Sequence, residues 1–173
     1  MRKLVLGVAT ALGLLTAGVA GTAPAASANP LDATCTGSVA VDYTPGLTLT
    51  PQTVTATATS SYTACLTGQA GITSATASGS VIDTLDCNSL LTTTTGVKVY
   101  HWNDGTTSRF EYTRTGARVL SQTVLTFTGA ITAGKFAGDS ALETNVGVSI
   151  GLLDCLTPGG VTHVAYTTVL EIS

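Results

Sequence analysis

The amino-acid sequence predicts an all-β domain, an antiparallel β-sandwich held by two disulfides, with a closed β-barrel as the alternative. Three observations carry this. Thr, Val, Ala, Gly and Ser dominate the chain beyond its first residues, and β-branched residues fit a pleated surface, whereas no Leu/Glu/Lys-rich stretch repeats at helical spacing. Apolar and polar residues alternate in successive short runs, as strands with one buried face require, and that is the habit of antiparallel sheets. The four cysteines, Cys35, Cys65, Cys87 and Cys155, all lie in the same part of the chain, and an even count implies two bridges where the compartment is oxidising.

The first element is a secretory signal over residues 1–28. Arg2 and Lys3 form its positive start, Leu4 to Ala20 its apolar stretch, and Ala26-Ser27-Ala28 its small-residue cleavage site, so the mature chain is expected to begin at Asn29. The apolar stretch is shorter than the roughly 20 residues a membrane span needs, and no basic stop follows it. Asp32-Ala33-Thr34 before Cys35 lacks the apolar residue of a lipid-anchor site. The expected localisation is therefore extracellular, with no membrane attachment after cleavage.

What remains, residues 29–173, is about 145 residues and one domain, large enough to bury a core of its own. Its runs follow in order: Val39, Val41, Tyr43; Val54, Ala56, Ala58, Tyr62, Ala64; Ala75, Ala77, Val81; and, last, Val164, Tyr166, Leu170, Ile172. The clearest alternation sets Leu142, Val146, Val148, Ile150 and Leu152 against Glu143, Asn145, Gly147, Ser149 and Gly151. Turns are expected at Pro45-Gly46, Gly68 to Gly71, Asp104-Gly105, Ala133-Gly134 and Pro158-Gly159-Gly160. About nine or ten strands at this spacing suit a sandwich or a barrel.

Four cysteines allow three pairings. A weak internal repeat favours Cys35 with Cys65 and Cys87 with Cys155: Cys65-Leu66-Thr67 leading to Gly71-Ile72-Thr73 resembles Cys155-Leu156-Thr157 leading to Gly160-Val161-Thr162. Low complexity inflates such matches. Closing loops of about 30 and 70 residues, each bridge would contribute about 4 kcal/mol.

The central hairpin holds the candidate site. Asp104-Gly105 between Val97–Asn103 and Thr106–Tyr112 predicts a two-residue type I′ turn, which sets Asn103 opposite Thr106. His101, Val99 and Val97 then face the core with Ser108, Phe110 and Tyr112, while Lys98, Tyr100 and Trp102 share the outer face with Glu111, Arg109 and Thr107. A three-residue loop would instead gather Tyr100, Trp102, Phe110 and Tyr112 on one face. It would leave Arg109 and Glu111 beside Val97 and Val99, so the first register places the charges better. On that reading Tyr100, Trp102 and Arg109 form an exposed ligand-binding patch, since paired aromatics offer large rigid area at low entropic cost.

Other chemistry is weakly signalled. Loss of Arg2 and Lys3 moves the formal charge from -3 to -5, leaving Lys98, Arg109, Arg114, Arg118 and Lys135 as the only strong cations, which argues against nucleic acid. Asp86 and Asp154, beside Cys87 and Cys155, would approach one another if those cysteines pair, but a calcium site needs six or more oxygens, so neither a metal nor another cofactor is expected. His101 and His163 belong to no catalytic motif. Thr53, Thr55, Thr57 and Thr59 read as a solvated strand face. The expectation is a non-catalytic exported domain binding a surface, a glycan or a small apolar ligand. The alternatives are a structural protein of a cell envelope or spore surface, and a secreted hydrolase; oligomeric state is not readable.

The arrangement resembles the small exported β-domains that actinobacteria encode without an assigned activity. The resemblance lies in Ala26-Ser27-Ala28, the four cysteines, Gly71-Ile72-Thr73-Ser74, Trp102-Asn103-Asp104-Gly105 with Ser108, Gly129 with Gly134, and Phe136 with Gly138. It implies no mechanism. Composition is also similar to that of chromophore-carrying apoproteins of the neocarzinostatin type, whose cysteines, however, lie close together in sequence.

Overall fold

The computed structural model describes residues 31–173; the signal expected over residues 1–28 lies outside them. Eight strands run in chain order: β1 (Ala33–Leu47), β2 (Gln52–Thr67), β3 (Ala75–Leu85), β4 (Thr94–Trp102), β5 (Thr107–Val119), β6 (Gln122–Gly134), β7 (Ser140–Val148) and β8 (Val161–Ile172). Each pairs antiparallel with the next, and β8 returns to β1, closing an up-and-down barrel. The favoured sandwich is thereby corrected to the alternative. Closure rests on a ladder from Ala33↔Ile172 to Leu47↔Val161, which joins the two ends of the domain and removes both sheet edges.

Two bridges pin the barrel. Cys35 and Cys65 are cross-strand partners on β1 and β2. A bulge makes this possible: Thr36 pairs Ala64 and Gly37 pairs Tyr62, so Thr63 is extra. The side-chain phase shifts by one. Hence Cys65 is buried and Ala64 exposed, reversing the alternation expected there. Cys87 and Cys155 instead join two short 3-10 turns, Ser89–Leu91 and Asp154–Leu156, over one end of the barrel. The Cys87 amide also donates to Thr48 O at 3.0 Å, tying this cap to the β1–β2 loop.

The hairpin register is the second correction. Observed pairs are Tyr100↔Ser108, Val99↔Arg109 and Lys98↔Phe110, one residue from the type I′ expectation. Trp102 N–H donates to Thr106 O and Gly105 N–H to Trp102 O, so the loop is Asn103-Asp104-Gly105. Gly105 supplies the positive φ of 84° that closes a three-residue loop. Asn103 uses the freed position to bind the neighbouring segment: its Oδ1 accepts from Thr73 and Ser74 N–H and its Nδ2 donates to Gly71 O.

One residue of slip turns β4 over relative to β5, which keeps Ser108 and Phe110 inward as expected. Tyr100, Trp102 and Phe110 are therefore buried inside the barrel. With Tyr62, Ile131, Leu170, Ile172 and Phe136 they pack the end where β4 and β5 meet; Tyr62 and Tyr100 touch edge to face at 5.6 Å, as do Trp102 and Phe136 at 5.3 Å. Trp102 Nε1 donates to Ser108 Oγ at 2.8 Å, satisfying the indole where water is excluded.

On β7 the alternation is inverted too. Glu143 and Asn145 are buried, while Leu142 and Val148 are exposed. Pro45-Gly46 lies within β1 rather than in a turn, and the β5–β6 turn, Leu120-Ser121, carries neither Gly nor Pro.

Candidate functional site

The barrel interior is filled at one end by the aromatic cluster and covered at the other by the cap, with Leu90 buried beneath it. Between them lies a cavity of about 630 Å³. Small and mid-sized inward residues leave this space: Val39 and Val41 on β1, Ala56 and Ala58 on β2, Ala77 and Gly79 on β3, and Gly96 on β4. An eight-stranded barrel has an interior just wide enough for its side chains to fill, so a run of small ones leaves room for one ligand.

Its way in follows from the pairing. β3 and β4 are joined only by Ala75↔Trp102 and Thr76↔His101. Beyond these pairs the strands diverge. Consecutive residues Ser78 to Val81 of β3 and Thr94 to Lys98 of β4 all border the cavity. In a continuous ladder only alternate residues could do so, so the seam between these strands is the mouth.

Lys98, which borders the cavity, is engaged by a buried carboxylate. Lys98 Nζ donates to both carboxylate oxygens of the fully buried Glu143, at 2.7 and 2.8 Å, and Tyr100 OH donates to Oε2 at 2.7 Å. Burial first, and then the Glu143 charge, push the hydroxyls of Tyr62 and Tyr100 well above the ordinary phenol value. Higher in the cavity stand Arg114, Asn145, Tyr43 and Tyr166. The Arg114 Nη2 donates to Ser89 O at 3.1 Å and Thr92 O at 3.2 Å, so the cap holds the guanidinium. Gly147 makes room for Tyr166, because a Cβ there would stand 2.7 Å from the tyrosine ring.

The residues expected to bind ligand are not brought together. Tyr100 and Trp102 are packed at the closed end, 0% and 3% exposed, and neither borders the cavity. Arg109 lies on the outer face, where its Nη1 pairs with Glu111 Oε1 and donates to Thr132 Oγ1. The exposed aromatic patch is thus corrected: a three-residue loop turns the aromatics inward. Residues that do line the cavity, above all Arg114, Asn145 and Tyr166, were missed. A strong cation in the same alternating phase as Phe110 and Tyr112 was the available signal for Arg114.

Asp86 and Asp154 each accept hydrogen bonds within their own turn, from Asn88 N–H and Ser89 Oγ and from Gly151 N–H. His163 Nδ1 lies 2.7 Å from Asp42 Oδ1, but both side chains are more than half exposed and on the outer face. A shallower depression on the outside of β4–β6 is bordered by Val97, Glu111 and Thr113.

Fold and interior together define a closed, up-and-down, eight-stranded barrel with a ligand-sized chamber that opens through a parted seam. No family model, curated protein or solved structure matches the chain.

Proposed function

We propose that the protein is an exported, non-catalytic binding protein that encloses one small, mainly apolar molecule within its barrel. The observation that carries this is the cavity between aromatic core and cap, about 630 Å³ in volume, within the range of small-molecule sites. A core shaped only for stability would be filled, since voids cost packing energy.

Export is supported by the signal-like start of the sequence and by two bridges, which persist where the compartment is oxidising. Freedom from the bilayer is supported by the outer surface. Thr53, Thr55, Thr57 and Thr59 on β2, and Arg109, Glu111 and Thr113 on β5, face outward, whereas a membrane barrel carries an apolar outer band. Against a hydrolase stands the position of both histidines, since neither His101 nor His163 borders the chamber. Against a purely structural role stands the chamber itself.

The test is titration of the purified protein with N-phenyl-1-naphthylamine, an uncharged probe that brightens in apolar surroundings. One saturable site is expected. The Ala58→Trp variant, which places an indole in the chamber, should lose that site while keeping the circular dichroism and melting temperature of a folded barrel. Absence of saturable binding, or equal binding by the folded variant, would refute the assignment.

A further inference from the structure

The chamber's polar groups are incompletely paired, and the unpaired ones border one space. Asn145 is 2% exposed and Tyr166 3% exposed. Yet Asn145 Oδ1, the Tyr166 hydroxyl and Arg114 Nε have no hydrogen-bond partner among the described residues, and all three residues border the chamber. Buried polar groups are nearly always satisfied, so three together call for a partner that is not part of the chain.

Charge says what kind of partner. Lys98 is neutralised by Glu143. Arg114, by contrast, forms no salt bridge among the described residues, and its backbone contacts at Ser89 and Thr92 fix its position without cancelling its charge. Among the described residues the remaining charged one at the chamber is Asp83, which lies exposed on β3 at the mouth and accepts from Thr84 N–H. Burial pushes the Tyr166 hydroxyl up to about 12, and the nearby Arg114 charge partly opposes that rise. The hydroxyl therefore stays protonated and free to donate. Rotating the Asn145 amide presents Nδ2 in place of Oδ1, giving a further donor.

We propose that the chamber's occupant is a single-chain amphiphile with one anionic head, a carboxylate or an ester of sulfate or phosphate, held by Arg114, Tyr166 and Asn145. Its apolar chain lies along Val39, Val41, Ala58, Leu125 and Phe127. The inference rests on the binding function above and adds the chemistry of the ligand. Charge-assisted hydrogen bonds hold the head, and apolar burial holds the tail.

Decanoate and decanol carry the same chain with and without the charge, and calorimetric titration of both at pH 8 tests the head site. Wild type should bind decanoate about tenfold or more tighter than decanol, since hydrogen bonds to a charged group are among the stronger ones. Arg114→Met should erase this preference and leave decanol affinity unchanged. Arg114 also steadies the cap, so Tyr166→Phe supplies a milder variant. It removes only the unpaired hydroxyl and should weaken decanoate several-fold without affecting decanol. Equal affinity of wild type for both ligands, or a preference that survives in both variants, overturns the head site while leaving the chamber's binding function standing. Binding of neither ligand overturns both.

Discussion

Inside the barrel Glu143 has no exposure to solvent, and its carboxylate is held by Lys98 and Tyr100. Isolated charges do not survive in such surroundings; a buried pair does, if its geometry is good and its other hydrogen bonds are made. Lys98 also lies 4.9 Å from the Phe127 ring centroid, which favours the cation further. The pair explains why the three-residue hairpin is tolerated although it turns a lysine inward. Lys98→Met should therefore destabilise the protein by about 3–5 kcal/mol, since it strands the Glu143 charge. Adding Glu143→Gln should recover much of that loss. Urea unfolding of the two variants reads the difference, and a single variant as stable as wild type would disprove the account.

At the scale of the elements, turns decide which face of a strand is wet. The loop Asn103-Asp104-Gly105 is one residue longer than the Asp-Gly pair alone suggests, and with it β4 and β5 present Tyr100, Trp102 and Phe110 to the interior. The bulge at Thr63 acts likewise on β2, bringing Cys65 rather than Ala64 opposite Cys35. The β5–β6 turn is the least regular choice of residue. Leu120 is 99% exposed and has a φ of 57°, a left-handed conformation that costs a residue with a side chain roughly 1–2 kcal/mol. Leu120→Asn should raise stability by about 0.5–1 kcal/mol, because Asn tolerates this conformation and no buried contact is lost. A higher urea midpoint at unchanged slope would show it.

For the molecule as a whole, the tyrosines report on closure. All five, at positions 43, 62, 100, 112 and 166, have hydroxyls raised above the ordinary value by burial. Above pH 10 the unfolded chain loses these protons and the folded chain keeps them, so folding stability declines as pH rises from there. Below pH 10 both states are protonated and the contribution is fully present. Alkaline titration followed at 295 nm should show far less tyrosinate near pH 10 while the barrel is intact than the unfolded chain shows, then a steep rise that coincides with loss of circular dichroism. Ionisation near pH 10 to the unfolded chain's extent, without unfolding, would mean that the interior is open to water.

Strand content and the two bridges were readable from residues alone, since alternation along the chain and an even set of cysteines are local facts. The internal repeat that favoured the pairing is not mirrored in the fold: Cys35 and Cys65 join adjacent strands, while Cys87 and Cys155 join capping turns. A pattern of period two names two faces but does not say which is inside. On β7 the apolar face turned out, because Glu143 must meet Lys98 from β4 and Asn145 borders the chamber. Barrel closure, the parted seam and the Arg114 site all depend on partners distant along the chain. Only tertiary structure could decide them, because loop length, a bulge and the meeting of β1 with β8 set side-chain direction cooperatively.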